Sequence, residues 1–364
     1  MPGKGRLFYG DRFEKVNEPI FTGIPTFLKL PFVSSLEELE NLKPDIAIIG
    51  EPMDMATTIR PGARYGPRAV RAASTVPSPP YSHFNIEVGI DPFDEFFVVD
   101  SGDAPVIPGD TVSTLKSFEK KVHDISKLGI CPFIIGGDHS VTYANVKGWA
   151  EARGYKKIGM IHFDCHADTA NEGLCGFEYD HGAHIRRIWD LGILNGENYT
   201  LIGPRGFWPD KKTYEWMRDV GMCWFTSFDV WEMGIHKIAM VALERALDGT
   251  DAVWLTFDVD AMDPSVCPGT GEPEPGGLTA REAIAGIRLI AKNLDVRNFG
   301  FDILEVAPMY DVSDTSSYNG GITSLFASRM IIEVMCGLAI RHAGWKEGKP
   351  IRPNYDMKKV LGRD

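Results

Sequence analysis

Ile158-Gly159-Met160-Ile161-His162-Phe163 runs directly into Asp164-Cys165-His166-Ala167-Asp168. The first half is a short, almost continuous apolar run, the pattern of a strand buried on both faces. The second half ends it with chelating side chains at every second residue. A strand-like segment sends residues i, i+2 and i+4 to one face, so Asp164, His166 and Asp168 are expected to point the same way. The pairing recurs where Ala252–Phe257 is followed by Asp258-Val259-Asp260. Carboxylates and imidazoles converging in this manner suit a hard or borderline divalent cation such as Mn²⁺ or Ni²⁺. Two such clusters meeting in space describe a two-metal hydrolytic site.

Working outward, similar apolar runs bounded by turn residues predict strands at Asp45–Gly50, Glu95–Val99, Cys131–Ile135, Tyr199–Ile202, Met222–Thr226 and Asn298–Ile303. Most are unbroken, as in Ile46-Ala47-Ile48-Ile49. Helical patterns separate them at Thr111–Leu128, Val141–Ala152, Ile238–Leu247, Thr279–Asn293 and Thr323–His342. Strands alternating with helices predict an α/β fold, a largely parallel three-layer α/β/α sandwich. Pro67 before Arg68-Ala69-Val70 marks a helix start, because a proline at the first helical position lacks only an N–H that would be unsatisfied anyway. Thr279 and Glu282 form a capping box. No internal repeat or low-complexity linker divides the chain. The expected organisation is an amino-terminal arm over 1–40 that packs on a neighbouring subunit, one catalytic domain over 41–345, and a polar surface tail over 346–364.

The chain has 364 residues, 50 Asp+Glu against 38 Lys+Arg, and six cysteines without a CxxC pair. An acidic balance argues against nucleic acid and is compatible with a cationic substrate. Scattered thiols fit a reduced, cytoplasmic protein rather than a disulfide framework. The start lacks a signal-peptide pattern, and no run of about 20 apolar residues suggests a membrane span.

Position supports the chemistry. Gly136-Gly137-Asp138-His139 follows one predicted strand, Asp164–Asp168 a second, Asp258–Asp260 a third and Glu305 a fourth. In open α/β sheets, sites form at the carboxyl ends of strands. The candidate ligands are His139, Asp164, His166, Asp168, Asp258 and Asp260. Their four carboxylates balance two divalent ions, which would acidify a shared water to hydroxide near neutral pH. His181 is a candidate proton shuttle, and Glu305 a carboxylate able to bind a cationic group by charge-assisted bonds. His184 reads as a second loop histidine, either at the site or only structural, His162 as a satisfied core histidine, and Cys165, Trp224 and Trp254 as packing residues.

These residues resemble the three signatures of the ureohydrolases, the family of arginase, agmatinase and guanidinobutyrase. The stretches that carry it are Gly136–Ser140, His162–Thr169 and Thr256–Pro264, with further matches at Arg60–Arg68, Pro268–Gly271, Pro273–Leu278 and Glu305–Pro308. Phe21–Phe27 resembles the arm of the agmatinase branch. The resemblance covers nearly the whole chain. It implies an arginase-like eight-stranded sheet and a binuclear Mn²⁺ or Ni²⁺ centre. One metal would take His139, Asp164, Asp168 and Asp258; the other would take His166, Asp164, Asp258 and Asp260. Asp168 thereby also enters the catalytic set, Glu305 would hold a guanidinium, His181 would move protons, and trimers or hexamers are expected. The implied reaction is hydrolysis of a guanidino C–N bond by the metal-bridging hydroxide, releasing urea or a urea derivative. Three departures bear on the substrate. Glu272 stands where the agmatinase pattern has threonine, Ala183-His184-Ile185 replaces a small-residue, proline, phenylalanine run, and Met53 and Met55 replace smaller groups. Glu272 and His184 are expected to meet extra substrate nitrogens, and the methionines to face apolar substituents. Small guanidines or biguanides such as metformin are favoured on this basis. The alternatives are agmatine or guanidinobutyrate as substrate, or a noncatalytic partner subunit of a mixed oligomer.

Overall fold

A computed structural model describes residues 21–78, 83–173, 176–312 and 320–350. Eight strands form one sheet: β1 Ile46–Glu51, β2 Val98–Asp103, β3 Cys131–Gly136, β4 Ile158–Phe163, β5 Leu194–Ile202, β6 Cys223–Phe225, β7 Ala252–Asp258 and β8 Phe299–Leu304. Their order is β2-β1-β3-β8-β7-β4-β5-β6. Every pairing is parallel, so the sheet is wholly rather than largely parallel. The helices longer than one turn are α1 Leu36–Leu42, α2 Gly66–Ala73, α3 Thr111–Lys127, α4 Val141–Arg153, α5 His184–Asp190, α6 Lys211–Asp219, α7 Ser227–Met233, α8 Ile235–Leu247, α9 Ala280–Ala291 and α10 Gly321–His342.

The unbroken apolar runs explain the layering. Ile46 and Ile48 of β1 pack with α2, α8, α9 and α10 on one face. Ala47 and Ile49 pack with α1, α3, α4, α5 and α6 on the other. Side chains alternate along a strand, so covering both faces requires apolar residues at every position. Phe301 is fully buried against Phe133, ring centroids 5.3 Å apart. Phe301→Ala is expected to cost about 3–5 kcal/mol, read as a lowered urea midpoint at unchanged slope.

Helix α10 is long and apolar enough to cross a membrane, but 83% of its apolar stretch is buried inside the protein. The described part of the expected arm, from Phe21, packs on its own chain. Phe27 and Leu28 are buried, the Phe27 N–H donates to Asp100 Oδ2 at 2.8 Å, and Phe32 bridges Asp100 on edge strand β2. Helix α1 begins before residue 40, so the expected boundary cuts it. Residues 1–20 of the arm, 351–364 of the tail and Cys175 lie outside the described residues.

Candidate metal centre

Strands β3, β8, β7 and β4 are consecutive neighbours in the sheet. Their carboxyl ends carry His139, Glu305, Asp258 and Asp164 in that spatial order. Four segments far apart in sequence thus deliver polar side chains to one ridge. The ridge is tightly packed at Gly137, where any Cβ would run into the Met53 backbone.

The route by which the clusters converge differs from simple alternation. Strand β4 stops at Phe163, and Asp164–Asp168 form an irregular loop. Asp168 sits at φ 51°, a left-handed conformation that non-glycine residues rarely adopt. Asp260 lies in a 3-10 turn held by its N–H to Asp258 Oδ1 at 2.7 Å. The Cys165 N–H donates to Asp260 Oδ1 at 3.1 Å, and the His166 N–H to Asp164 Oδ1 at 2.6 Å. Backbone amides, not pleating, aim these carboxylates.

Among the described residues, three donor groups lie close enough to share a cation: His139, Asp164 and Asp258; Asp164, Cys165, His166 and Asp260; and His139, His162, Asp168 and His184. His139 Nδ1 is 3.0 Å from both Asp164 Oδ2 and Asp258 Oδ2, and 3.4 Å from Asp168 Oδ2. His166 Nδ1 is 3.1 Å from Asp260 Oδ2. Burial pushes the His139 ring down to about 3, keeping it a neutral imidazole. Its Nε2 meets Thr256 Oγ1 at 2.9 Å. A proton on Nε2 leaves the Nδ1 lone pair facing three carboxylate oxygens, an arrangement that calls for a cation between them. Burial, reinforced by the neighbouring carboxylates, pushes Asp168 and Asp258 well above the usual carboxylate range. Among the described residues no Lys or Arg side chain pairs with Asp164, Asp168, Asp258 or Asp260. Buried carboxylates clustered with histidines and without a Lys or Arg partner fit resident metal ions.

His162 and Cys165 are both fully buried. The His162 ring bridges Tyr199 Oη and Asp164 Oδ2, each at 2.8 Å, fixing that carboxylate from behind. Burial pushes the Cys165 thiol well up, so it packs rather than reacts. His184 does not reach the cavity. It is stacked on His139 with centroids 4.1 Å apart, and its Nδ1 lies 2.9 Å from the His181 carbonyl. The expectation that it contacts substrate is corrected by its position behind the ligands. Met53 and Met55 are corrected likewise, since they pack in a separate cluster with Phe118 and Leu304.

A cavity of about 580 Å³ opens over the candidate ligands. His166, Asp168, Asp258 and Asp260 form its floor, and Glu305, His181, Glu272 and Thr58 a wall. Glu305 also holds a left-handed φ, 62°. Its Oε1 takes the His139 N–H at 2.9 Å and faces His181 Nδ1 at 3.1 Å, leaving Oε2 for a ligand. Burial opposes charge on His181, but the Glu305 hydrogen bond and charge, then Glu272 and Asp138, hold its ring up at about 10. His181 Nε2 meets Thr58 Oγ1 at 2.9 Å. Thr58 and the rim residues Phe207 and Trp208 lie outside the candidate set read from the sequence, and Thr256 entered it only as the first residue of a signature stretch. The rim pair follows β5, so the strand-end rule that found the ligands reaches it too.

Behind the ligands, Thr256 leads to Thr142, whose Oγ1 donates to Asp302 Oδ2 at 2.9 Å. Burial outweighs the hydrogen bonds from Thr256, Asn145 and Thr142 and raises Asp302 to about 6. A raised folded-state value contributes stability at low pH that is lost as pH rises through 6. Between pH 3 and 8, Asp302→Asn is therefore expected to gain on the wild type by up to about 3 kcal/mol, most of it between pH 4 and 6, measured by denaturant midpoints. A constant gap across that range would contradict this.

Comparison with known proteins matches the description "Arginase family" over residues 44–337. The chain belongs to the arginase family. It is 33% identical to a guanidinobutyrase of Pseudomonas aeruginosa over 88% of this chain and 94% of that one. Agmatinase, mitochondrial, of Gallus gallus is 34% identical, covering 89% and 88% respectively. Among solved structures, proclavaminate amidino hydrolase from Streptomyces clavuligerus superposes with a TM-score of 0.77 at 32% identity, over 89% of this chain and all of that one. The arginase-like fold and ureohydrolase resemblance are thereby confirmed. This arginase-family chain is a hydrolase of amidino C–N bonds, and its His/Asp cluster is able to bind metal ions.

Proposed function

We propose that the protein is a binuclear metal-dependent amidinohydrolase acting on small guanidino compounds. Guanidines, alkylguanidines and biguanides such as metformin are the favoured substrates, with agmatine and guanidinobutyrate as alternatives. The observation that carries this is one cavity whose floor holds the metal donors and whose wall holds the Glu305 carboxylate. In this reading His139, Asp164, Asp168 and Asp258 hold one ion, and His166, Asp164, Asp258 and Asp260 the other. Mn²⁺ or Ni²⁺ bound by these residues would supply an acidified water as nucleophile.

The chain's own residues do the rest. Glu305 Oε2 takes two N–H groups of the planar guanidinium and turns the face of its carbon toward the floor. Addition of water to that carbon and cleavage of one C–N bond leave urea or a substituted urea, and the departing nitrogen needs a proton. His181 lines the same wall and supplies that proton, while Thr58 and Glu305 fix its ring. Trp208 lies edge-on to His166 with centroids 5.8 Å apart and limits solvent on that side. A trimeric or hexameric, cytoplasmic enzyme is part of the same proposal.

The test is elemental analysis of the purified protein joined to a panel of guanidino substrates with urea, guanylurea and amine release as readouts. About two ions per chain and turnover of at least one panel member are expected. Full metal loading without release from any of them would overturn the proposal, and exclusive use of agmatine would overturn the favoured substrate set.

A further inference from the structure

We infer that the cavity selects by charge: it admits guanidino compounds whose remainder is neutral or cationic and turns away those that carry a carboxylate, with Glu272 as a specificity-determining residue. This deepens the functional reading above and rests on it.

Bound ions would cancel the four carboxylates of the proposed ligand set. Five other carboxylates still line the cavity: Glu172, Asp180, Asp210, Glu272 and Glu305. No lysine or arginine is among the described lining residues. The nearby guanidinium groups face away from it, toward backbone. Arg60 donates from Nε to the Gly271 carbonyl at 2.8 Å and from Nη2 to Thr270 at 2.7 Å. Arg205 donates to the carbonyls of Asp260, Met262 and Glu274 among others. Both brace the loops around the site and neither presents a charge to a ligand. Lys211, beyond the rim, pairs with Glu215. A substrate carboxylate entering here would lose water and find no lysine or arginine in exchange among the described lining residues, and the charged His181 ring is already taken up by Glu305 Oε1 at 3.1 Å and Glu272 Oε1 at 3.5 Å.

Glu272 sits at the decisive place. Its Oε1 accepts the Thr58 hydroxyl at 3.0 Å and lies 3.5 Å from His181 Nε2, and the Gly271 carbonyl beside it is held by Arg60. The carboxylate is fixed in the wall, on the same side of the cavity as the guanidinium-binding Glu305. A tail leaving a guanidinium anchored at Glu305 passes it. Farther out, Ile59 and Phe207 are 70% and 98% exposed and offer apolar contact to a neutral tail. A second cationic group gains Glu272 instead, while a carboxylate is repelled by it. Building repulsion against the wrong ligand is an ordinary route to specificity.

The experiment uses metal-loaded protein and three compounds of similar length: butylguanidine, agmatine and 4-guanidinobutyrate, with neutral, cationic and anionic tails. Urea release gives kcat/KM, and calorimetric binding gives the same ranking without turnover. The anionic compound is expected to trail the neutral one by about a hundredfold or more in the wild type. In Glu272→Gln the anionic-to-neutral ratio is expected to rise about tenfold, and further in Glu272→Lys. Taking the ratio within each variant cancels any general loss of activity. Glu172→Gln, at an exposed position, is expected to give a smaller rise that fades with added salt. Equal use and binding of guanidinobutyrate and butylguanidine by the wild type would overturn the inference, as would ratios unmoved in both Glu272 variants. Charge-ranked binding without release of urea or guanylurea from these three compounds or from any guanidine or biguanide of the wider panel would leave charge selection standing and overturn the amidinohydrolase reading.

Discussion

Asp258→Ala is expected to lower bound metal to less than one ion per chain and to reduce product release by more than about a thousandfold. Asp258 ends β7, its Oδ2 is 3.0 Å from His139 Nδ1, and its Oδ1 holds the Asp260 N–H at 2.7 Å. Its loss removes one donor outright and frees the turn that aims another. The fold should survive. Burial, then Asp260 and Asp164, push the Asp258 carboxyl well above its usual range, so without metal this group opposes folding at neutral pH. Metal-free Asp258→Ala is accordingly expected to unfold at a midpoint no lower than metal-free wild type. Chelation of the wild type should abolish activity in the same way, and resupplied metal should restore it. Undiminished metal content together with undiminished turnover in the variant would refute the site assignment.

Glu305→Gln is expected to keep its metal and lose about a hundred- to a thousandfold in kcat/KM. The amide retains the size of the side chain and an oxygen for the His139 N–H, now 2.9 Å from Oε1. It cannot present a negative charge to a guanidinium. Glu305 also provides the strongest support for charge on His181, whose ring stands at about 10. Without that support the ring titrates lower, so the alkaline limb of the pH–rate profile should move toward neutral pH. Metal retention distinguishes this variant from Asp258→Ala. A variant that lost its metal, or matched wild-type turnover with an unmoved profile, would contradict a substrate-binding role for Glu305.

The sheet was legible because buried parallel strands need apolar residues on both faces, and β4 begins and ends where its apolar run does. Errors came where strands carry polar residues. The expected strand at Glu95–Val99 is β2 at Val98–Asp103, preceded by a helical turn that Asp91 caps and Pro92 opens. Its polar half escaped notice because Asp100 is buried by pairing with Arg71 at 2.8 Å, a partner distant in sequence. β5 starts five residues earlier than expected, at Leu194 rather than Tyr199, because Asn195-Gly196-Glu197-Asn198 reads as a turn. The positions of the candidate chelating residues were readable for the same reason as the sheet, since each follows a strand end. What spacing could not convey was direction. His184 lies one helical turn from His181, yet stacks behind His139 instead of facing the cavity. Met53 sits close to the site in sequence and packs away from it.

The order β3-β8-β7-β4 has a further consequence for how the protein opens. Ions held as proposed would tie the ends of β3, β4 and β7 together, and β8 lies between β3 and β7. The tied segments are separated by long stretches of chain, so each tie closes a loop whose entropy the unfolded chain would otherwise keep. The ions then act as removable cross-links across the middle of the sheet. Amide hydrogens of these four strands should exchange most slowly in the loaded protein and speed up together on chelation, while edge strands β2 and β6 change little. Loss of metal would thus release the centre of the sheet before its margins.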